Sequence, residues 1–162
     1  MKNKQSKYIS KEEGLAKLQK YCAYQDRCHQ EVRTKLINLG IYGDILEEII
    51  AELIAENFLN EERFARSFAR GKFRMRHWGK IRIKNELKFR RVSDYCIRKA
   101  MTEIEDNDYF ETVKEVIQKK AKTIKDSNPF IAKNKIAKYA IGRGFESEIV
   151  WEIINKEELK KR

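Results

Sequence analysis

Residues 83–92 read IKNELKFRRV, and the same pattern recurs as VRTKLINLGI at 32–41 and as IAKYAIGRGF at 136–145. In all three segments the first, fifth and tenth residues are apolar, which is the spacing of one helix face followed by a turn. The alignment continues past the turn into the next helix, at Leu46, Ile97 and Val150. Because one register holds through a helix, its turn and the next helix, it indicates an internal repeat rather than a chance match between amphipathic helices.

Signals for helices occur along the whole chain. One Pro and seven Gly in 162 residues make a composition that favours helix. Ser10 with Glu13 forms a capping box, and Asn60 and Asn128 stand where helix N-caps are expected. The apolar spacing predicts nine helices, at 10–23, 28–39, 43–57, 60–76, 79–90, 93–104, 108–125, 129–142 and 146–159.

These helices group into three units of three. The sequence predicts an all-α protein with three tandem three-helix repeats at 10–57, 60–105 and 107–159, which we call the first, second and third repeats. A unit of this size buries too little by itself and must lean on its neighbours. We therefore expect an elongated, curved array, in which Phe64 and Leu87 face the core.

The positive charge of the chain is concentrated in the second repeat. Residues 60–104 contain 14 Lys and Arg against 5 Asp and Glu, whereas residues 1–59 contain 9 of each and residues 105–162 contain 13 against 11. Charge localised in this way, with Phe and Trp interleaved, predicts a polyanionic or acidic partner. The candidate partner-binding and DNA-binding residues are cations of this repeat, most of them at helical spacing: Arg63, Arg66, Arg70, Arg74, Arg76, Lys80, Arg82, Lys84 and Lys88.

The basic residues have a simpler interpretation as a solvated helix face. Acidic residues do not alternate with the first basic stripe beyond Glu61 and Glu62, and this favours a binding surface. Trp78, in the link between the two basic helices, also has two interpretations. It is either an anchor that fills the helix junction or a stacking platform for bases.

Other classes of function lack support in the sequence. Cys28 and His29 have no second ligand pair at metal-binding spacing, and there is no Gly-rich phosphate loop or nucleophile elbow. We therefore expect no enzyme activity, no metal and no cofactor. No apolar run reaches the ~18–20 residues of a membrane span. The absence of an apolar signal segment at the start and of CxxC spacing among three cysteines favours a cytoplasmic protein, which we expect to be a monomer.

The second repeat resembles the RecX regulators of bacterial recombination. Residues 60–68, NEERFARSF, are similar to the family's D-E-R-F-A-R-S-F signature. Residues 79–92 are similar to its G-x-x-R-I-x-x-E-L-x-x-[RK]-G-[IV] pattern. In the first repeat, three dipeptides resemble the family's R-D-R-S-x-x-E-L-x-x-K-L, namely Asp26-Arg27, Glu31-Val32 and Lys35-Leu36. The resemblance covers residues 11–155 and is weakest in the third repeat.

Two positions depart from the family pattern. Cys28 stands where the family usually has a Ser as helix N-cap, so this cap should be weaker. Arg91 stands where the family usually has Gly after a helix. An Arg in a left-handed C-cap costs on the order of 1 kcal/mol, so either this helix ends differently or the strain is accepted.

The resemblance implies a protein of tandem three-helix repeats without catalytic activity. RecX members bind the RecA recombinase, lie in the groove of the RecA–DNA filament and restrain its ATPase and strand-exchange activities. The expected partners are therefore RecA and the RecA–ssDNA filament, together with the DNA backbone. Two alternatives remain open: a stand-alone, sequence-independent DNA-binding protein that inserts one short helix in the major groove, and a helical scaffold for an acidic protein.

Overall fold

The computed structural model describes the backbone of residues 9–158 and the side chains of residues 9–156. This part of the chain is built from helices without strands, and the helices are α1 Lys11–Tyr24, α2 His29–Asn38, α3 Gly43–Ala55, α4 Glu61–Arg76, α5 Lys80–Phe89, α6 Asp94–Met101, α7 Asp106–Thr123, α8 Pro129–Gly142 and α9 Ser147–Glu158. Residue 159, the predicted end of the last helix and of the third repeat, lies outside the described residues.

The predicted and observed helix ends agree closely, and the largest difference is at α6. The sequence predicted a helix to residue 104, but α6 ends at Met101. After it, the N–H groups of Thr102, Glu103 and Ile104 each donate to the carbonyl three residues earlier. This tight turn carries the Ile104 side chain into the core, where it is 4% exposed.

The helices pack as three groups of three. Every helix pair with extensive contacts lies within α1–α3, within α4–α6 or within α7–α9. The structure therefore confirms an all-α repeat fold. The helices α1–α3, α4–α6 and α7–α9 lie in the ranges called the first, second and third repeats, except that α7 begins one residue earlier, at Asp106.

The turn between the second and third helix is the same in all three repeats. Its central residue has a positive φ each time, 84° at Gly40, 59° at Arg91 and 100° at Gly144. The N–H of the next residue then donates to the carbonyl five residues earlier, as from Val92 to Leu87 at 3.1 Å. The residues that follow the turn are buried in every copy: Ile41, Val92 and Phe145. This geometry is a glycine C-cap, which Arg91 adopts despite the strain.

We expect Arg91→Gly to stabilise the protein. Glycine adopts a positive φ without steric cost, whereas Arg91 at φ 59° pays for its Cβ. Relief of that strain should exceed the added chain entropy and raise the free energy of unfolding by about 0.5–1 kcal/mol in a urea titration. Arg91→Ala is the matched control, because it removes the same charge and retains a Cβ. An equal gain in both variants would assign the effect to charge and not to φ.

The buried side chains of residues 9–156 form two clusters. One belongs to the first repeat and includes Leu18, Leu36 and Leu53. The other is continuous through the second and third repeats, where Leu87 and Phe145 are both fully buried. Phe64 is also buried, at 5% exposure. The second and third repeats therefore share one hydrophobic core. The sequence had predicted three separate units that only stack on one another.

Hydrogen bonds from backbone N–H groups join the second repeat to the third. The N–H of Gly79 donates to the carbonyl of Arg143 at 2.9 Å, and the N–H of Ile81 donates to that of Gly144 at 3.0 Å. The N–H of Lys80 donates to the hydroxyl of Tyr109 at 3.0 Å. These N–H groups begin α5 and have no partner inside the helix. The third repeat thus caps a helix of the second.

Tyr109 links both sides of this junction. Its hydroxyl accepts from Lys80 and donates to a carboxylate oxygen of Glu146 at 2.5 Å. Burial, reinforced by the hydrogen bond to Glu146, raises the pKa of Tyr109 far above its usual range. The ring packs between Phe73 and Phe145, with centroid distances of 5.8 and 5.6 Å.

We expect Tyr109→Phe to reduce the free energy of unfolding by about 1–3 kcal/mol. The substitution removes the partner of a partly buried N–H and of a partly buried carboxylate while keeping the ring. Urea titration measures this loss. Tyr95→Phe is the matched control, because Tyr95 is 55% exposed, and it should change stability by less than about 0.5 kcal/mol. A loss of equal size in both variants would contradict the proposed role of the Tyr109 hydroxyl.

Candidate functional site

Arg63, the first of the nine candidate cations, joins the first and second repeats. Its Nε donates to Asp26 at 2.7 Å. Its two terminal nitrogens donate to the side chain and carbonyl of Asn57 and to the carbonyl of Phe58. Asn57 itself has a positive φ of 62°, which turns the connection between the repeats back toward the guanidinium. Arg63 therefore holds the repeats together with most of its hydrogen-bonding capacity.

Arg66 and Arg70 both bind Glu103, at the end of the same repeat. The Arg66–Glu103 distance is 2.9 Å and the Arg70–Glu103 distance is 3.2 Å. Arg66 also lies 3.4 Å from Glu62. The hydrogen bond from Arg66, assisted by Arg70, holds the pKa of Glu103 below its usual range. These two cations are partly neutralised by the protein itself.

Lys80 and Arg82 are also engaged. The Nζ of Lys80 lies 3.6 Å from Asp106 and 4.6 Å from the centroid of the Tyr109 ring. The guanidinium of Arg82 lies 4.0 Å from the centroid of the Trp78 ring. Arg82 is thus stacked on an aromatic ring and meets no carboxylate among the described side chains.

The other four candidates are exposed and unpaired. Within residues 9–156, the charged ends of these side chains have no hydrogen bond, ion pair or ring contact: Arg74, Arg76, Lys84 and Lys88. Two of them lie in the last turns of α4 and two on α5. The structure therefore divides the candidates into engaged cations and four that are free to meet a partner.

A cluster of cations and aromatic rings lies on α4 and α5, in a cleft that Arg76 also lines. Lys72 approaches the rings of Phe68 and Trp78, at 5.5 and 5.0 Å. Arg90 approaches Phe68 at 4.8 Å, opposite the contact of Arg82 with Trp78. Trp78 is half-buried against the core, as expected of an anchor. Lys72 and Arg82 also make cation–π contacts with its ring.

Lys72 and Arg90 were not among the candidates predicted from the sequence. For Lys72 the signal was present in the spacing, because Phe68 and Lys72 are four residues apart on one helix. Cation–π contacts at exposed sites contribute roughly 0.5–1 kcal/mol each. This cluster therefore helps to hold α4 against α5 while it presents positive charge.

The described residues offer little for other chemistry. No group of three or more His, Cys, Asp or Glu side chains within them could hold a metal ion. None of their helices combines the length and apolar character needed to cross a membrane. The three cysteines are free and buried, and burial raises the pKa of Cys28 to about 11. Cys28 provides no side-chain N-cap for α2, as its substitution for Ser predicted.

Fold and surface together define a class: an all-helical repeat protein whose middle repeat carries most of the excess positive charge. Residues 60–101 match the family model of the second three-helix domain of RecX, and residues 106–154 match that of the third. The chain therefore belongs to the RecX family.

Individual relatives agree with this assignment. The Regulatory protein RecX of Streptococcus uberis is 28% identical over 131 residues, which are 80% of this chain and 50% of that protein. That of Halalkalibacterium halodurans is 29% identical over 133 residues, 82% of this chain and 50% of that protein. The crystal structure of RecX from Lactobacillus salivarius superposes with a TM-score of 0.82 at 27% identity, covering 92% of this chain and 97% of that one. The chain spans about half the length of the curated relatives it matches.

Proposed function

We propose that this chain binds the RecA recombinase on its ssDNA filament and restrains its ATPase and strand-exchange activities. It acts as a monomer in the bacterial cytoplasm, by binding and not by catalysis, and so regulates recombinational DNA repair and the SOS response. Support comes from membership in a family of regulatory proteins and from the exposed cations of the second repeat.

The observation that carries the proposal is the set of four unpaired cations on α4 and α5. No hydrogen bond within residues 9–156 uses their side-chain donors, so binding a carboxylate or phosphate breaks none of the contacts described there. Arg binds either group with two parallel hydrogen bonds, whereas Lys acts as a compact charge. These cations therefore suit a filament, which presents acidic protein side chains beside a DNA backbone.

The direct test is the ATPase rate of RecA on single-stranded DNA with increasing amounts of this chain. We expect the rate to fall in a saturable manner. The same titration with Arg74→Gln, Lys84→Gln and Lys88→Gln combined should require a higher protein concentration for the same inhibition. An ATPase rate unaffected at saturating amounts of the chain would refute the regulatory function.

Sequence-independent DNA binding without RecA is the alternative, favoured by the same free cations. Four phosphate contacts give a slope of about −3.6 for log K against log salt on duplex DNA. Affinity for bare duplex should thus fall by about two orders of magnitude between 50 and 200 mM salt. Fluorescence anisotropy with two unrelated duplexes measures both the slope and the sequence preference. A preference of several kcal/mol for one duplex would indicate base readout and contradict this interpretation.

A further inference from the structure

A cavity of about 510 Å³ lies where the C-terminal end of α4 meets α7 and α8. It is a space between the second and third repeats beside the Gly79 junction, since Arg143 lines the cavity and its carbonyl accepts from the N–H of Gly79. Arg76 and His77 contribute from α4 and its cap, Val116 and Lys120 from α7, and Tyr139 from α8. The volume is in the range of small-molecule sites, which is about 300–1,000 Å³.

The cavity carries excess positive charge. Its lining contains Arg76, Lys119, Lys120 and Arg143 against one carboxylate, Glu115. Glu115 is paired with Lys119 at 3.6 Å. The positive charges of Arg76 and Lys120 have no carboxylate partner among the described side chains.

Arg143 offsets the negative charge of the α4 carbonyl end, which would otherwise repel an anion from the cavity. The carbonyl end of a helix is negative and repels anions. The guanidinium of Arg143 donates to the carbonyls of Arg76 and His77, which are the last carbonyls of α4 and its cap. The helix end is therefore neutralised, and Arg143 is fixed in the wall of the cavity.

Tyr139 gives the cavity an aromatic surface. Its side chain is 40% exposed, and the Nζ of Lys120 lies 4.6 Å from the ring centroid. The flexible stem of Lys120 lets its ammonium move from the ring to a nearby phosphate. The guanidinium of Arg143 also approaches this ring, at 6.0 Å from the centroid. Movement of Lys120 opens space above the ring for a planar apolar group, with the buried Val116 beside it.

We propose that this cavity binds a nucleoside phosphate, with the base on Tyr139 and the phosphate on Arg76 and Lys120. An acidic side chain would satisfy the cations but leave the ring and most of the volume unused. The ligand is either a free nucleotide or one nucleotide unit of a single strand, since both present the same base and phosphate. The inference goes beyond the regulation of RecA and does not depend on it.

The walls are positioned before any ligand binds. α4 belongs to the second repeat and α7 and α8 to the third, and the shared core and the Gly79 hydrogen bonds fix these repeats relative to each other. A preformed site loses less entropy on binding than one that must be ordered.

The test is a titration of the whole chain with AMP, followed by two-dimensional NMR of its amides. We expect saturable shifts at Tyr139 and Lys120, and weaker binding of adenosine or of inorganic phosphate alone. Tyr139→Leu and Lys120→Gln should each weaken AMP binding by about tenfold. Lys122→Gln, which removes an exposed charge from α7 outside the cavity, should leave it unchanged.

A second titration with oligothymidylate distinguishes the two sources. Competition with AMP at the same amides identifies a strand nucleotide, and binding of AMP without competition identifies a free nucleotide. Absence of saturable shifts with both probes, or equal AMP affinity of wild type and Tyr139→Leu, would overturn the proposal. Circular dichroism of each variant checks the fold. Where oligothymidylate does not compete with AMP, filament binding by Tyr139→Leu should remain at the wild-type level, so this test and that of RecA regulation fail separately.

Discussion

Gly79→Ala is expected to lower the free energy of unfolding by about 3 kcal/mol or more, because it disrupts the packing of the second repeat against the third. This is at the upper end of the cost of overpacking. A Cβ on Gly79 would lie 2.1 Å from the carbonyl carbon and oxygen of Gly144 and 2.3 Å from the nitrogen of Phe145. All three are backbone atoms, so no side chain can rotate away. Relief would require breaking the hydrogen bonds that begin α5. Urea unfolding followed by circular dichroism measures the loss.

Gly71→Ala is the matched control for this substitution. Gly71 lies inside α4, and a Cβ there would meet nothing within 4 Å. Alanine is favoured over glycine inside a helix, so this variant should be more stable than wild type by about 0.5–1 kcal/mol. The same chemical change is thus predicted to have opposite signs at two sites. A stable Gly79→Ala protein would contradict the tight backbone contact between the repeats.

Combined replacement of Arg74, Lys84 and Lys88 by Gln is expected to weaken binding to the RecA–ssDNA filament by about 100-fold, equivalent to ~2.7 kcal/mol. These side chains are exposed and unpaired in the described structure, so stability should change by less than about 0.5 kcal/mol for each. The reason for the large effect on binding is that all three lose their charge-assisted hydrogen bonds to the partner. Filament affinity can be measured by fluorescence anisotropy with labelled chain.

The matched control for the triple variant removes three positive charges outside the second repeat. Lys17, Lys20 and Lys138 are exposed and belong to the first and third repeats. Their combined replacement by Gln lowers the net charge equally, so it reports the general effect of charge. Equal weakening in both variants would show that the filament responds to net charge and not to the surface of α4 and α5.

Local features of the fold followed from the sequence. Ser10, Asn60 and Asn128 cap their helices as predicted, each accepting a hydrogen bond from a backbone N–H. The repeated turn was also predictable, because all its signals are local. Gly40, Gly144 and the apolar residue after each turn lie inside the ten-residue segments that recur in the sequence. Even the strained φ of Arg91 was one of the two expected outcomes.

Long-range features could not be predicted in this way. Arg63 binds Asp26, and Arg66 binds Glu103, each across 37 residues of sequence. Helical spacing placed both arginines on a basic stripe, but it does not show which carboxylates arrive from other helices. Helical spacing also does not predict the core shared by the second and third repeats. That core, and the contact of Gly79 with Gly144, depend on how two whole repeats pack together.

We propose that this chain recognises the RecA filament itself and not merely its DNA. The most direct measurement compares the affinity of labelled chain for RecA–ssDNA filament with that for the same naked strand at 200 mM salt. We predict that the filament binds at least about tenfold more tightly, because protein contacts persist when salt screens the phosphates. Equal or weaker affinity for the filament would contradict the account and favour a protein that binds DNA alone.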